Sequence, residues 1–330
     1  MPLNVFISLS FIALMNSNNN IPKLAVVVPC YNEEDSVQRT INTLSELLKG
    51  YIENGSVAKE SFVVFVNDGS KDRTWSIITE SHSALIKGLK LSHNVGHQNA
   101  LLAGLTYVTN KVDCCISLDA DLQDDISVMM QMIENYKTGH HIVYGVRDNR
   151  EADSAVKKQT AQLFYKLMKA MGCDVVYNHA DFRLLSSKVL VELQKYKEVN
   201  LFLRGLFPLM GYTSSIVYYS RKKREAGETK YPFRKMLQLA VNGITSFSNF
   251  PLKVITRIGL LVFLGSILTS IWVGVVVISG KNVPGWASIT LPIYFLGGVQ
   301  LLALGIIGEY LGRIYLETKG RPRFHVEEEV

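Results

Sequence analysis

Four aspartates stand within seven positions of "CCISLDADLQDD", residues 114–125, directly after a short apolar run. Carboxylates this close repel one another, so a bound cation, a helix N-terminus or a solvated loop must account for them. An EF-hand calcium loop is excluded, because Asp124 occupies its glycine position and Met130 its bidentate glutamate position. The four acids are Asp119, Asp121, Asp124 and Asp125.

These acids divide into two pairs with different predicted roles. Asp124 and Asp125 precede the amphipathic stretch "ISVMMQMIENY", and we expect their side chains to cap that helix. Asp119 and Asp121 follow the apolar run at spacing i, i+2, where both carboxylates can converge on one Mg²⁺ or Mn²⁺. This spacing often occurs by chance, so its weight comes from its position at the end of a buried strand.

The elements that must position these acids alternate between strands and helices from residue 23 to about 220. Apolar strands such as "KLAVVVPCY", "SFVVFVND" and "VDCCISLD" are separated by amphipathic helices, the first of which we expect to end at Gly50. The alternation predicts an α/β fold, a mostly parallel sheet with helices on both faces. Ligands bind such sheets at the carboxyl ends of the strands, so "PCYNEE", "VNDGS" and "DADLQDD" are expected to be neighbours.

The net charge of +6 and the pI near 9.0 favour a partner that carries phosphate, such as a nucleotide or an anionic lipid. A nucleic-acid binder is disfavoured, because the basic residues cluster beside the apolar C-terminal runs and not along an aromatic-lined groove. The four cysteines have no metal-ligand spacing, and adjacent Cys114 and Cys115 must point to opposite faces of a strand. Reduced thiols in a cytoplasmic compartment are therefore expected.

Two long runs near the C-terminus, residues 258–278 and 282–308, contain no charged side chain. A helix needs about 20 such residues to cross a membrane, whereas a pair of buried helices in a soluble core is the alternative. Basic residues flank the outer ends of the pair, and only Lys281 lies between them. The positive-inside rule therefore predicts a multi-pass protein of the inner membrane, with the large domain and both termini in the cytoplasm.

These features predict a division of the chain into segments. The N-terminal "VFISLSFIALM" is too short to span and lacks a basic flank, so we expect a disordered or interfacial extension there. Residues after the large domain repeat apolar side chains at helical spacing, which suits interfacial helices but also a core helix. The segments are the extension 1–22, the cytoplasmic domain 23–230, the interfacial helices 231–253, the transmembrane helices 254–312 and a cytoplasmic tail 313–330.

Five motifs, in this order, resemble family 2 glycosyltransferases of the Rossmann-like GT-A fold: "VVVPCYNEE", "FVNDGSKDRT", "LSHNVGHQNALLAGL", "SLDADLQDD" and "VVYNHADFRLLS". The chain is most similar to the polyprenyl-phosphate glycosyltransferases, which include dolichol-phosphate mannose synthase and the bactoprenol glucosyltransferases. The similarity covers about residues 23–324, including "RKKREAGETKYPF" and the apolar hairpin. It implies inverting transfer of a hexose from a UDP-sugar to undecaprenyl phosphate, with glucose expected before N-acetylglucosamine, galactose or mannose.

The resemblance also implies roles for individual residues. Those expected to contact the nucleotide-sugar are Pro29, Tyr31, Asn32, Glu34, Asp68, Asp119, Gln123 and Arg147. A divalent cation, Mg²⁺ or Mn²⁺, would be bound by Asp119, Asp121 and Gln123. The expected catalytic residues are Asp121, Asp181 and Arg183, and those for the acceptor phosphate are Arg204, Arg221, Arg224 and Lys230. From the residues alone, Asp68 equally suits a turn before Gly69. For Asp181 the alternative is the start of a surface helix.

The chemistry explains these residue types. A divalent cation neutralises charge on a departing diphosphate, and an ionised lipid phosphate needs positioning by arginine but no base. Expected partners are the UDP-sugar, undecaprenyl phosphate, membrane lipids, a flippase, a downstream glycosyltransferase that modifies surface glycans, and a second copy of the chain. Two alternatives are a processive polysaccharide synthase, for which the Q-x-x-R-W motif and further spans are missing, and a non-catalytic membrane scaffold.

Overall fold

A computed structural model describes residues 21–148, 179–198, 203–220, 250–279 and 285–330 of the chain. Runs rich in Val, Ile, Leu and Phe form the central strands, because such side chains pack well on a pleated surface. The strands are β1 (Leu24–Cys30), β2 (Phe62–Asn67), β3 (Ile86–Leu91), β4 (Cys114–Ser117), β5 (Ile142–Arg147), β6 (His179–Ser186), β7 (Ser214–Tyr219) and β8 (Val326–Glu329). The helices are α1 (Val37–Glu53), α2 (Thr74–Glu80), α3 (His97–Val108), α4 (Met129–Lys137), α5 (Ser187–Leu193), α6 (Leu203–Leu209), α7 (Phe250–Ile278) and α8 (Trp286–Lys319).

The strands of the described residues form one sheet in the order β7-β5-β6-β4-β1-β2-β3-β8. Parallel pairs join β1 to β2 and β4, β2 to β3, and β5 to β7. Strand β6 lies antiparallel between β4 and β5. The sheet is therefore mostly parallel, as the alternation of strands and helices predicts, and the carboxyl ends of β1, β2 and β4 meet at one edge.

Two apolar cores cover the two faces of this sheet. Successive residues of β1 alternate between them: Val26 packs with α1, α2 and α4, whereas Val27 packs with α3, α5 and α6. Cys114 and Cys115 follow the same rule, one in each core, and both are free thiols. The prediction that these two side chains point to opposite faces of a strand is confirmed.

Helix α1 runs to Glu53, so the prediction that it ends at Gly50 was wrong. Tyr51, one residue beyond that glycine, is buried against the core. Packing of an apolar face stabilises a helix more than a single exposed glycine weakens it.

Both C-terminal apolar runs are helical, as α7 and α8, and the two helices contact each other. Within the described residues, Phe295–Lys319 of α8 is the segment long and apolar enough to cross a membrane. A span by α7 stays a prediction. The extension 1–22 lies outside the described residues except for its last two positions, and so do the interfacial helices 231–253 except for 250–253.

The segment predicted as a cytoplasmic tail begins inside α8 and ends as a strand of the sheet. Helix α8 ends at Gly320, whose φ of +55° is the left-handed conformation typical of a helix C-cap. Strand β8 then pairs antiparallel with β3 at the edge of the sheet. Nothing in its sequence, "VEEE", has the apolar alternation of a half-buried strand.

Gly104 allows α3 to approach the sheet closely, because a Cβ there would lie 2.4 Å from Val27 Cγ1 and 2.8 Å from Val66 Cγ2. We expect Gly104→Ala to destabilise the protein by about 1–3 kcal/mol through overpacking. Gly50→Ala is the matched control, since a Cβ at that helical position meets nothing within 4 Å. Gly50→Ala should stabilise the folded protein by about 0.5–1 kcal/mol, because alanine loses less backbone entropy than glycine in a helix. Thermal melting of the detergent-solubilised variants measures both, and equal shifts would contradict the close packing of α3.

Candidate active site

The segments after β1 and β2 are hydrogen-bonded to each other, as predicted. Oδ1 of Asn32 accepts from the amide of Lys71 at 2.9 Å, and Oε2 of Glu34 accepts from the amide of Arg73 at 3.1 Å. The backbone of Asn32 is left-handed, with φ of +53°, and turns the chain sharply out of β1 beside Pro29. Tyr31 is 44% exposed at this turn. Together these residues form an open polar rim at the edge of the sheet.

Asp68 anchors the loop between β3 and α3, residues 92–96. Its two carboxylate oxygens accept from the amides of Val95 at 2.7 Å and Gly96 at 3.1 Å. The next residue, Gly69, has φ of +62°, and a Cβ there would lie 2.5 Å from the carbonyl carbon of His93. The loop is thus held against the end of β2, and it leads directly into His97. A contact between Asp68 and the nucleotide stays a prediction.

His97, the first residue of α3, connects the acidic stretch after β4 to strand β6. Its Nε2 atom lies 3.6 Å from Oδ1 of Asp119 and 3.4 Å from Oδ2 of Asp181. No role for this histidine was predicted from the sequence. The position of His97 at the start of a predicted helix was the one feature of the sequence that could have indicated a role. Its carboxylate partners become visible only in the tertiary structure.

Asp181 lies within β6 and is 7% exposed, so the alternative that it begins a surface helix was wrong. Arg204 of α6 makes a bidentate interaction with the carboxylate of Asp181. Its Nε donates to Oδ1 at 3.2 Å and its Nη2 donates to Oδ2 at 2.8 Å. The guanidinium of Arg183 donates to Oδ1 from the same strand. The predicted residues Asp119, Asp181, Arg183 and Arg204 are therefore brought together, with His97 at their centre.

The charges of this cluster shift the protonation of its members. Burial alone would raise the pKa of Asp181, yet His97, Arg183 and Arg204 hold it well below its usual value. Burial lowers the pKa of His97, but its hydrogen bond to Asp181 and the charge of Asp119 outweigh that effect and raise it. Burial, and to a smaller extent neighbouring carboxylates, raise the pKa of Asp119 to about 6, although the charge of His97 acts in the opposite direction. Burial is therefore the main reason why this carboxylate holds its proton more tightly than usual.

Arg183 is fully buried, and its guanidinium lies 4.9 Å from the centre of the Phe207 ring. A catalytic role for Arg183 stays a prediction. In the structure its guanidinium is paired with Asp181, whose negative charge compensates its own. A buried guanidinium requires such a partner because an unpaired charge in the interior is costly.

The two acids predicted to cap a helix have different roles in the structure. Asp125 accepts from the amide of Ser127 at 3.1 Å and caps the turn before α4, which confirms its predicted role. The prediction for Asp124 was wrong. It is buried and accepts from Nη2 of Arg147 at 3.1 Å and from the hydroxyl of Tyr219 at 2.7 Å. Arg147, predicted to contact the nucleotide-sugar, thus fixes the acidic stretch to β5 and β7.

The predicted metal ligands occupy the same turn but differ in exposure. Asp121 is exposed and accepts from the amide of Gln123 at 3.2 Å, whereas Gln123 itself is buried. In the described part of the chain, Oδ1 of Asp119 is buried without a hydrogen-bond partner. Among the same residues, no group of three or more His, Cys, Asp or Glu is placed to hold a metal ion. The buried Oδ1 of Asp119, whose contact with His97 at 3.6 Å is an ion pair and not a hydrogen bond, nevertheless fits a cation ligand.

Three predicted acceptor residues, Arg221, Arg224 and Lys230, lie outside the described residues.

Comparison with known proteins defines the class of this site. The family described as Glycosyl transferase family 2 matches residues 25–193. An uncharacterized glycosyltransferase of Bacillus subtilis, YkoT, is 49% identical over 308 residues, which cover 93% of this chain and 91% of the relative. A bactoprenol glucosyl transferase of Shigella phage SfX is 40% identical over 311 residues, which cover 92% of this chain and 99% of the relative.

Among solved structures, the glucosyl-3-phosphoglycerate synthase of Mycobacterium tuberculosis in complex with Mn²⁺, UDP and glucosyl-3-phosphoglycerate is similar at a TM-score of 0.45. Its sequence identity is 17%, and the match covers 68% of this chain and 78% of that chain.

The site therefore belongs to a sugar-transferring enzyme, and the chain is a member of glycosyl transferase family 2. The resemblance noted in the sequence motifs is confirmed. The predicted GT-A architecture, a mostly parallel sheet with helices on both faces, is also confirmed.

Removing the charge of Asp181 leaves the buried guanidinium of Arg183 without its compensating carboxylate. We expect Asp181→Asn to destabilise the protein by about 3–5 kcal/mol, as when one partner of a buried ion pair is removed. Arg204→Gln is the control, because Arg204 is partly exposed and its loss should cost about 1 kcal/mol or less. Thermal melting at neutral pH measures both variants. Equal destabilisation would show that Arg183 does not depend on this charge.

The same ion pair predicts how stability responds to acid. The pKa of Asp181 is lower in the folded than in the unfolded protein, so its stabilisation is fully present above the unfolded value of about 3.9. It is lost as the pH falls through the lower folded value. The difference in melting temperature between the wild type and Asp181→Asn should therefore not decrease from neutral pH down to about 4–5, where the raised pKa of His97 adds to it, and should decrease in stronger acid. A difference that shrinks between pH 7 and pH 5 would contradict the lowered pKa.

Proposed function

We propose that this glycosyltransferase transfers glucose from UDP-glucose to undecaprenyl phosphate at the cytoplasmic face of a membrane, with inversion at the anomeric carbon. Relatives that match almost the full chain are named bactoprenol glucosyl transferases, which supports both the sugar and the lipid carrier. The apolar helix α8 and the charge-free run in α7 support a membrane location.

The observation that carries this proposal is the state of Asp181. A hydroxyl acceptor needs a general base with a lone pair directed at its proton and a pKa near the working pH. Asp181 is instead bound by two guanidinium groups and has a strongly lowered pKa, so it is a weak base. A phosphate acceptor is already ionised and needs no base. The arrangement thus favours a lipid phosphate over a sugar hydroxyl.

The residues present fit a divalent cation beside the donor diphosphate. Asp119 and Asp121 would hold it, with Gln123 in the same turn, and the identity of the ion, Mg²⁺ or Mn²⁺, is left open by this oxygen-rich set. When bound, the ion neutralises the charge that accumulates on UDP as the glycosidic bond breaks. The raised pKa of Asp119 and its unpartnered oxygen support this assignment.

The chain's own residues would bind and orient the two substrates. The polar rim of Tyr31, Asn32 and Glu34 offers a surface for the nucleotide. Arg204 is held by Asp181 with its side chain 41% exposed, so it lies where it can attract an anionic acceptor. Arg221, Arg224 and Lys230 would add positive charge from the segment that follows β7.

Both ends of the helical pair would face the cytoplasm, because basic residues flank them on that side. The product would carry its sugar on the same side, and use outside the cell would require a flippase and a further glycosyltransferase.

Washed membranes from a bacterium overexpressing the full chain test the proposal. With undecaprenyl phosphate and radiolabelled UDP-glucose, we expect label in a mild-acid-labile lipid that depends on a divalent cation. Asp119→Asn and Asp121→Asn should lower this activity by about 100-fold or more, the scale at which loss of transition-state charge stabilisation is measured. Asp125→Asn is the matched control, since it lies in the same stretch and an Asn preserves its capping role.

Two results would overturn parts of the proposal. Label transferred from another UDP-sugar but not from UDP-glucose would refute the donor. Folded, membrane-bound protein that labels no lipid from any UDP-sugar would refute the lipid-phosphate acceptor.

A further inference from the structure

The C-terminal strand β8 fills one edge of the sheet through both backbone and side-chain contacts. Gly88 and Val330 exchange two backbone hydrogen bonds, of 2.8 and 3.0 Å. Leu89 pairs with Glu329 and Lys90 with Glu328. An exposed strand edge such as that of β3 is a template for another strand, and here the chain's own C-terminus occupies it.

Charge complementarity makes this contact specific for the acidic tail. The indole of Trp75 donates to Glu328 at 3.1 Å, Lys90 binds Glu327 at 3.1 Å, and Lys111 lies 3.9 Å from Glu329. Each glutamate of "VEEE" therefore faces a donor on the catalytic domain. The individual surface pairs are weak, but several along one strand fix its register.

The strand is connected to the active site through the 92–96 loop. The amide of Ser92, the first residue of that loop, donates to the carbonyl of His325 at 3.0 Å. The same loop supplies the amides of Val95 and Gly96 that bind Asp68, and it ends at His97 beside Asp119 and Asp181. The C-terminal segment thus holds the near end of the loop, and Asp68 holds its far end.

The strand is also connected to the apolar helix. Five residues lie between Gly320, directly after α8, and Val326 at the start of β8, and a fully extended chain over these six Cα–Cα steps spans at most about 22 Å. Within the connection, Phe324 packs against the core, and the guanidinium of Arg323 donates to the carbonyl of Tyr196. A short connection therefore joins the end of α8 to the sheet.

We propose that the C-terminal strand β8 is a positioning element of the active site, which holds the 92–96 loop in its binding conformation and ties it to helix α8. A test of this proposal by glucose transfer rests on the proposed function. Tests by hydrogen exchange and by UDP binding do not. The strand touches no substrate. Its effect is on the loop, and so its loss should change donor binding as well as stability.

The test uses the full chain in detergent, a variant that ends at Phe324 and so lacks both His325 and β8, and a synthetic peptide of residues 325–330. Local opening of the loop should speed hydrogen exchange at the amides of Val95 and Gly96 by about tenfold in the shortened protein. Loss of a preorganised loop should weaken UDP binding by about tenfold. Excess peptide should reverse both effects, because the β3 edge is again filled.

A second variant, Glu327→Gln with Glu328→Gln, keeps the backbone strand and weakens its attachment. Hydrogen exchange at Val95 and Gly96 and the affinity for UDP should change in the same direction in this variant, but by less. This variant replaces the shortened protein in the test if the shortened protein does not fold. Glu80→Gln, an exposed carboxylate at the end of α2, is the matched control and should leave exchange and UDP binding unchanged.

Unchanged exchange at Val95 and Gly96 in the folded, shortened protein would overturn the proposal. So would a loss of glucose transfer with UDP affinity and amide exchange as in the wild type. If the wild-type protein transfers no glucose, the proposed function fails, while exchange and UDP binding still decide the role of β8.

Discussion

The ion pairs of Asp181 hold together the elements that form the active site. A guanidinium at the centre of a sheet, as in Arg183, is tolerated only with a compensating charge, and the nearest is two residues away in β6. That carboxylate also binds Arg204 from α6 and His97 from α3. The pairing therefore fixes a strand and two helices relative to one another. It also lowers the pKa of Asp181, which makes this carboxylate a weak base and leaves it as a negative anchor for basic groups.

The acidic stretch after β4 shows how a fold distributes charges that repel one another. Asp125 is stabilised by a backbone amide at the start of a helical turn, and Asp124 by Arg147 and Tyr219 in the interior. Only Asp119 and Asp121 are left to face the edge of the sheet. Anchoring the second half of the stretch thus determines where its first half presents its carboxylates. A divalent cation would stabilise the ionised form of Asp119, which burial disfavours.

The proposed transfer requires a membrane-bound acceptor and a soluble donor to meet at this edge, and the arrangement of the chain suits it. The polar rim after β1 and β2 is open, while the basic residues increase toward the apolar helices. Because the chain returns from α8 to the sheet as β8, the helical pair is joined to the catalytic domain at both of its ends. A domain held at two points has fewer orientations relative to the membrane than one held at a single linker.

The sequence by itself determined the fold class, the alternation of faces in the strands and the family. These follow from local patterns: β-strand periodicity, polar residues at strand ends and an ordered set of motifs. Through the resemblance it also predicted Asp119, Asp181 and Arg204 as site residues, which the tertiary structure brings close together. Only the tertiary structure decided the partners of each charge. Asp124 lies 95 positions from Tyr219, and Trp75 lies 253 positions from Glu328. A residue type states which contacts are possible, but the partner is chosen by where packing of the sheet and helices brings distant side chains together. For that reason His97, the burial of Arg183 and strand β8 could not be read from their local sequence.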